Sequence, residues 1–278
     1  SALSHRLSEA ERRLGGALFE REGRRLRATP AGQAMTQASM QALPALQRAE
    51  TDFEQMSKQA TSIVRLGIAA YSCFHWLPEF MQFATLKAPS IQLLLVASAT
   101  QNPIRSLHEG VVDVVIAPGY LATPGITATH LFQDELVLVT PPQHPLKNKT
   151  YIEAEDLAEN VYLTYSHTAQ PGFEYERFIR PSGVIPHQVN VVEMTDAIIE
   201  LIAAGFGVSI LSKWAMQSAV ANHRVATVQV GETGLDLSWS ALTREADTKT
   251  APIHTLSALL AQWHKMIKPH PLETQIKG

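Results

Sequence analysis

The chain has 278 residues, 45% hydrophobic and 18% charged, with a net charge of −3, so it can hold two soluble domains with well-filled cores. One cysteine, Cys73, excludes an internal disulfide framework and a cysteine-rich zinc site, and the eleven histidines are scattered without metal-ligand spacing. No apolar run reaches the roughly 18 residues needed to cross a bilayer, and the start has neither signal-peptide nor transit-peptide character, which reads as a cytoplasmic protein with no membrane partner.

Residues 1–14 read as a helix. Ser1 and Ser4 are candidate caps, and Leu3, Leu7, Ala10 and Leu14 form one apolar stripe that Gly15 and Gly16 end. Residues 17–29 read as a hairpin that turns at Glu22 and Gly23, with Arg24, Arg25 and Arg27 at its tip and on its return strand. Residues 1–27 hold seven Arg and four Glu, a local charge of +3 on a chain whose remainder carries −6. A basic head on an acidic body is the asymmetry of a nucleic-acid-contacting module carried by a body that stays off the nucleic acid.

The next helix starts at Thr29, an N-cap, with Pro30 at the first helical position, where its missing N–H costs nothing. Met35, Ala38, Ala42, Leu46, Ala49, Phe53 and Met56 recur at spacings of three and four, close to a heptad seam. A helix this long with one stripe and no core of its own points to packing against a second copy; a helix buried in the body is the alternative. Pro44 predicts a kink inside it.

From residue 61 strand and helix patterns alternate. Residues 63–71, 91–98 and 111–119 read as strands with helices between them, a β-α-β-α-β order that implies a parallel sheet covered on both faces. The same grammar restarts near residue 154, with strands at 161–165, 187–193 and 208–212 and helices at 172–183 and 195–207. Two more strands, at 224–231 and 236–244, and a last helix at 251–267 complete the chain. Two α/β units in tandem imply a cleft, and open parallel sheets take ligands at the carboxyl ends of their strands.

The head resembles the DNA-binding region of LysR-type transcriptional regulators. The residues that carry the likeness are Ser-Ala-Leu-Ser at 1–4, Glu11, Leu14-Gly15, Leu18-Phe19-Glu20-Arg21 and Thr29-Pro30-Ala31-Gly32. Gly-Phe-Gly-Val at 205–208 and the Pro-Pro-x-His-Pro-Leu stretch at 141–146 resemble the effector domain of that family. The fold class implied is α/β: a truncated winged helix-turn-helix at 1–29, a linker and dimerisation helix at 30–60, and a periplasmic-binding-protein-like effector domain at 61–270. Its two subdomains would be about 61–133 with 240–270, and about 134–239. The partners implied are promoter DNA, a second copy in a homo-dimer or homo-tetramer, a small-molecule co-inducer and RNA polymerase. Residues 72–78 and 41–47 most resemble the regulators of methionine biosynthesis, which implies homocysteine as effector and no cofactor.

In a helix-turn-helix the second helix enters the major groove by its N-terminal residues. Residues 1–14 would be that helix, so Ser1, Ala2, Ser4 and His5 are the candidates for base contact. Arg24 and Arg25 on the wing suit phosphate or a narrow minor groove. The family architecture places two short helices before this one, roughly 30 residues that would precede Ser1. The chain as given is therefore expected to keep dimerisation and effector binding, with weak or absent specific DNA binding.

The candidate effector residues follow strand ends: Tyr71, Ser72 and Cys73 after the first strand, Ser98 and Thr100 after the second, and Tyr165, Glu193 and Thr195 in the second unit. For an α-amino acid, Ser72 with the N–H groups of 72 and 73, or Thr195 as N-cap, would take the carboxylate. Glu193 would take the ammonium. Cys73 and His75, two apart on a helix, would not face one another as a nucleophile and base, and Trp76, Leu77 and Phe80 read as core. An enzyme or a plain binding protein on the same body is the alternative; with no convergent acid, base or nucleophile set, the chain reads as a regulator rather than an enzyme.

Overall fold

In a computed structural model the described residues are 2–23, 25–58, 62–69, 74–100, 102–119, 123–169, 172–247 and 251–266. The chain divides into two units, Ser1–Ala60 and Thr61–Gly278.

In the first unit α1 (Ala2–Leu14) ends at Gly15, whose φ of +73° is the left-handed turn that glycine takes without strain. Strands β1 (Phe19–Glu22) and β2 (Arg25–Ala28) pair as an antiparallel hairpin from Phe19 opposite Ala28 to Glu22 opposite Arg25. α2 (Pro30–Lys58) runs as one continuous helix through Pro44. The joint among these elements explains the Thr-Pro-Ala-Gly motif. Thr29 Oγ1 donates to the Ala17 carbonyl at 2.8 Å and accepts from the Gly32 N–H at 3.0 Å, so it caps α2 and ties it to the hairpin at once. A Cβ on buried Gly32 would lie 1.9 Å from the Leu18 carbonyl oxygen, so only glycine lets the helix approach so closely. Glu11 buttresses the other side, accepting from the N–H groups of Leu18 at 2.8 Å and Phe19 at 3.3 Å.

The second unit is built on a mixed eight-stranded sheet. The strands are β3 (Ser62–Ile68), β4 (Ile91–Leu95), β5 (Val114–Pro118), β6 (Ile126–Thr140) and β7 (Tyr151–Ile152). Strands β8 (Val161–Thr164) and β9 (Gln188–Val191) form a separate parallel pair. Strands β10 (Ser209–Ser212), β11 (Ala226–Val230) and β12 (Leu235–Arg244) return to the main sheet. The helices are α3 (Leu77–Lys87), α4 (Pro103–His108), α5 (Arg180–Ser182, entered from a π-helical turn), α6 (Thr195–Ala203), α7 (Lys213–Ala221) and α8 (Ala251–Met266).

The first β-α-β-α-β segment does form the parallel order β4-β3-β5. All five residues of β5 are buried because both faces are covered. Val114 and Ile116 join the large core with α3 and α8, while Val115 and Ala117 join a smaller one with Leu107 of α4. The expectation of two separate parallel units needs correction. β12 pairs antiparallel with both β5 and β6, and β11 then β12 lie in turn along β6, 226–229 opposite 140–137 and 235–244 opposite 136–126. The fifteen-residue β6 is thus shared between the two halves of the sheet. Helix α7 was not foreseen either; Ser212 caps it, its hydroxyl accepting from the Ala215 N–H at 3.2 Å.

Candidate functional site

The head presents its candidate DNA residues to solvent. Ser4, His5 and Arg25 are exposed, as are Arg6 and Arg27. Ser1 and Arg24 lie outside the described residues, and Ala2 is described only as the first residue of α1. Of the apolar stripe, Leu7 and Ala10 are half-buried, but Leu3 is 78% and Leu14 54% exposed.

In the second unit, Tyr71, Ser72 and Cys73 lie outside the described residues. Their flanks are placed: Ala69 N–H donates to the Ile116 carbonyl at 2.9 Å, and a 3₁₀ turn, Phe74–Trp76, leads into α3. Ser98 and Thr100 stand on the turn Ala97–Thr100 after β4, Ser98 exposed and Thr100 half-buried. That turn is held against the end of β3, where Val96 N–H donates to Leu66 O at 2.9 Å and Ala99 is fully buried over Gly67.

Tyr165, Glu193 and Thr195 gather at the other end. The parallel register sets Thr164 opposite Val191, and Val192 N–H donates to Thr164 O at 2.8 Å, so the residues just beyond the two strands adjoin. Tyr165 is buried. Glu193 has φ of +63°, a left-handed conformation that a residue with a Cβ adopts only when its surroundings impose it, and its carboxylate lies 3.7 Å from His167 Nε2. Thr195 is not the N-cap of α6. That position is held by Met194, extended at φ −127° and ψ 117° with no side-chain bond, and Thr195 is the first helical residue, buried.

The two groups approach at two points. The Phe173 ring packs on Gly119, just past β5, where a Cβ would lie 2.8 Å from a ring carbon. The Asp196 carboxylate, on the first turn of α6, acts on the His75 imidazole. Burial on one side holds His75 below the usual histidine range, against the pull of Asp196 and Glu79, so the ring is neutral at pH 7.

Composition did not reveal the polar core beneath these strand ends. Asp134 of β6 is half-buried and accepts from Trp239 Nε1 at 2.9 Å, from the Trp214 N–H at 3.1 Å and from the Ser212 hydroxyl. Burial pushes its carboxyl up, and these bonds pull it back. The acids Asp134 and Glu135, set just before the apolar end of β6, were the available signal. His264 of α8 stacks on Phe132 with ring centroids 3.6 Å apart; burial holds its imidazole at about 4, and its Nδ1 has no hydrogen-bond partner. Trp76, Leu77 and Phe80 are core. In the Gly-Phe-Gly-Val stretch, a Cβ on Gly207 would lie 2.4 Å from Val161 O, so it is a packing joint. Among the described residues no group of three His, Cys, Asp or Glu side chains could hold a metal ion, and no helix is long and apolar enough to cross a membrane.

Two family models match the chain: the LysR substrate binding domain over residues 57–265, and the bacterial regulatory helix-turn-helix protein, lysR family, over residues 1–33. The chain is 31% identical over 251 residues to the HTH-type transcriptional regulator MetR of Salmonella typhimurium, covering 90% of this chain and 78% of that protein. The fold is shared with the regulatory domain of a MetR from N. meningitidis, with TM-score 0.61 and 24% identity over 72% of this chain and 92% of that one. It is shared also with a hydrogen-peroxide-bound OxyR mutant of Corynebacterium glutamicum, with TM-score 0.62 and 18% identity over 95% of this chain and 84% of that one.

Proposed function

The chain belongs to the LysR family of transcriptional regulators, and from that premise we propose that it senses homocysteine, or a related sulfur amino acid, to control genes of methionine biosynthesis. The observation that carries this reading is the likeness to MetR through both head and body, 31% identity over 90% of the chain. The family is one of regulators rather than enzymes, so the strand-end residues are read as a binding site.

The effector would lie between the two groups of strand ends. Its carboxylate would meet Ser72, the N–H groups of 72 and 73, and the start of α6 at Thr195; its ammonium would meet Glu193. Tyr71, Cys73, Ser98, Thr100 and Tyr165 would line the walls. The left-handed backbone of Glu193 supports this assignment, because strain of that kind collects where a side chain must be aimed. On DNA, α1 would offer Ser1, Ala2, Ser4 and His5 to the bases while Arg24 and Arg25 hold phosphate. His5 lacks the paired donors that suit bidentate guanine readout, so its base is not assigned. The protein would act in the cytoplasm as a dimer or tetramer joined through α2, touching RNA polymerase at the promoter. Effector occupancy would shift the balance between two arrangements of the effector domain in proportion to its difference in affinity for them.

Calorimetric titration with homocysteine tests the reading. Wild type is expected to bind, and Glu193→Ala to lose roughly tenfold or more, the scale of a charged hydrogen bond. Equal binding by both proteins overturns the Glu193 assignment, and no binding by wild type overturns the effector.

A further inference from the structure

The Trp214 side chain is the centre of an aromatic cluster drawn from four separate parts of the second unit. Its ring centroid lies 6.0 Å from His75 and 5.4 Å from Trp76 on the turn after β3, 4.9 Å from Phe132 on β6, and 5.1 Å from Trp239 on β12. His264 of α8 closes the ring at 6.4 Å. Trp214 is also the second residue of α7, and the start of that helix is fastened. Asp134 holds its N–H, and the Ser212 cap bonds the same carboxylate. The backbone of Trp214 is thus tied to β6, while its ring touches the turn after β3 as well as β6 and β12.

His75 stands on the turn after β3, within electrostatic reach of the start of α6. It lies two residues beyond Cys73 and is exposed, its ring stands 6.0 Å from that of Trp214, and the Asp196 carboxylate at the start of α6 acts on it. Packed interiors move as bodies rather than yielding locally. A shift of the turn 74–76 therefore meets the Trp214 ring before any other part of α7.

We propose that His75 and Trp214 are positioning residues that carry the state of the cleft to α7, with Asp134 as the anchor that makes the helix follow the ring. The proposal rests on the cleft being the effector site. It does not depend on the effector's identity, and neither residue is assigned a contact with the ligand.

Hydrogen exchange of the α7 amides, residues 213–221, in the full chain tests this, with and without saturating homocysteine. In wild type the ligand is expected to slow α7 exchange at least about fivefold, the lower end of ordinary coupling between sites. His75→Ala should bind homocysteine within about threefold of wild type by calorimetry, yet leave α7 unresponsive. His75→Phe, which keeps a ring against Trp214, should restore the response. A full α7 response in His75→Ala, or none in wild type that binds, overturns the proposal. If wild type does not bind homocysteine, the effector reading fails, and the ligand-free proteins decide the relay alone. There, His75→Ala should speed α7 exchange at least about threefold and His75→Phe should return it to the wild-type rate; equal rates in all three overturn it.

Discussion

Asp134 is half-buried where β6, β12 and the start of α7 meet, and three donors are turned on its carboxylate. Removing the acceptor leaves the indole N–H of Trp239, which is fully buried, and the backbone N–H of Trp214 without a partner. Asp134→Ala is therefore expected to cost about 3 kcal/mol of unfolding free energy in urea titrations, since each stranded buried donor costs about 1–3 kcal/mol. Asp134→Asn should cost less, because its amide oxygen still accepts and the Ser212 hydroxyl can turn to accept as well. Asp134 and His264 also set opposite pH trends. Asp134 keeps its proton to a higher pH when folded than when unfolded, so its contribution falls as pH rises above 3.8 through its raised folded value. His264 is the reverse. With a folded value of about 4 against 6.5 unfolded, the unfolded chain gains the extra proton between those pH values, and stability falls as pH drops through that window. His264→Phe, which keeps the stack on Phe132, should lose less melting temperature between pH 6.5 and pH 4 than wild type. An equal loss in both proteins would remove His264 from the account.

Among the elements, α2 is the one whose sequence and surroundings disagree most. Phe53 is 74% exposed and Leu46 60%, and Met35, Met40 and Leu43 are exposed with them. Met35, Leu46 and Phe53, eleven and seven residues apart on this 29-residue helix, fall on one face, as packing against a partner helix requires. The seam is expected to join two copies. A doubly charged variant, Leu46→Glu with Phe53→Glu, should lower the mass seen in sedimentation by half or more without changing the thermal unfolding of the second unit; an unchanged mass would place the interface elsewhere. The same scale shows why some elements were readable and others not. α1 and α2 carry strong periodicity bounded by glycines, threonine and proline, so their extents follow from local chemistry. α7 is nine residues long with a weakly sided pattern, and it begins straight from a strand. At the start of α6 a threonine beside an acid looked like a cap, but the chain turns one residue earlier. Met194 takes the extended cap geometry and Thr195 goes into the core, because the register of β9 on β8 sets where the helix begins.

Across the whole molecule, local pattern and long-range pairing divided the information. Length, the basic head, the seam and the β-α-β-α-β order indicated a DNA-contacting end on an α/β body, and the likeness of its motifs to the LysR family indicated a regulator. Periodicity and caps act over a few residues, and the residues concerned stand next to one another in the chain. The motif around Thr29 and Gly32 was recognisable as a string, although its reason, a helix crossing a carbonyl at a distance no Cβ allows, is visible only when Leu18 is in place. The mixed sheet was not legible, because β12 finds its partners on β6 and β5 about a hundred residues earlier, and an apolar strand does not state which neighbour it will bond. The cluster around Trp214 was hidden for the same reason. Its rings come from residues as far apart as His75 and His264, and each alone reads as ordinary core. Motif likeness thus pointed to the family, and spacing to most of the elements in their order. Tertiary pairing alone brought Asp134, Trp214 and His75 together, because hydrogen bonding and ring packing act through space, without regard to distance along the chain.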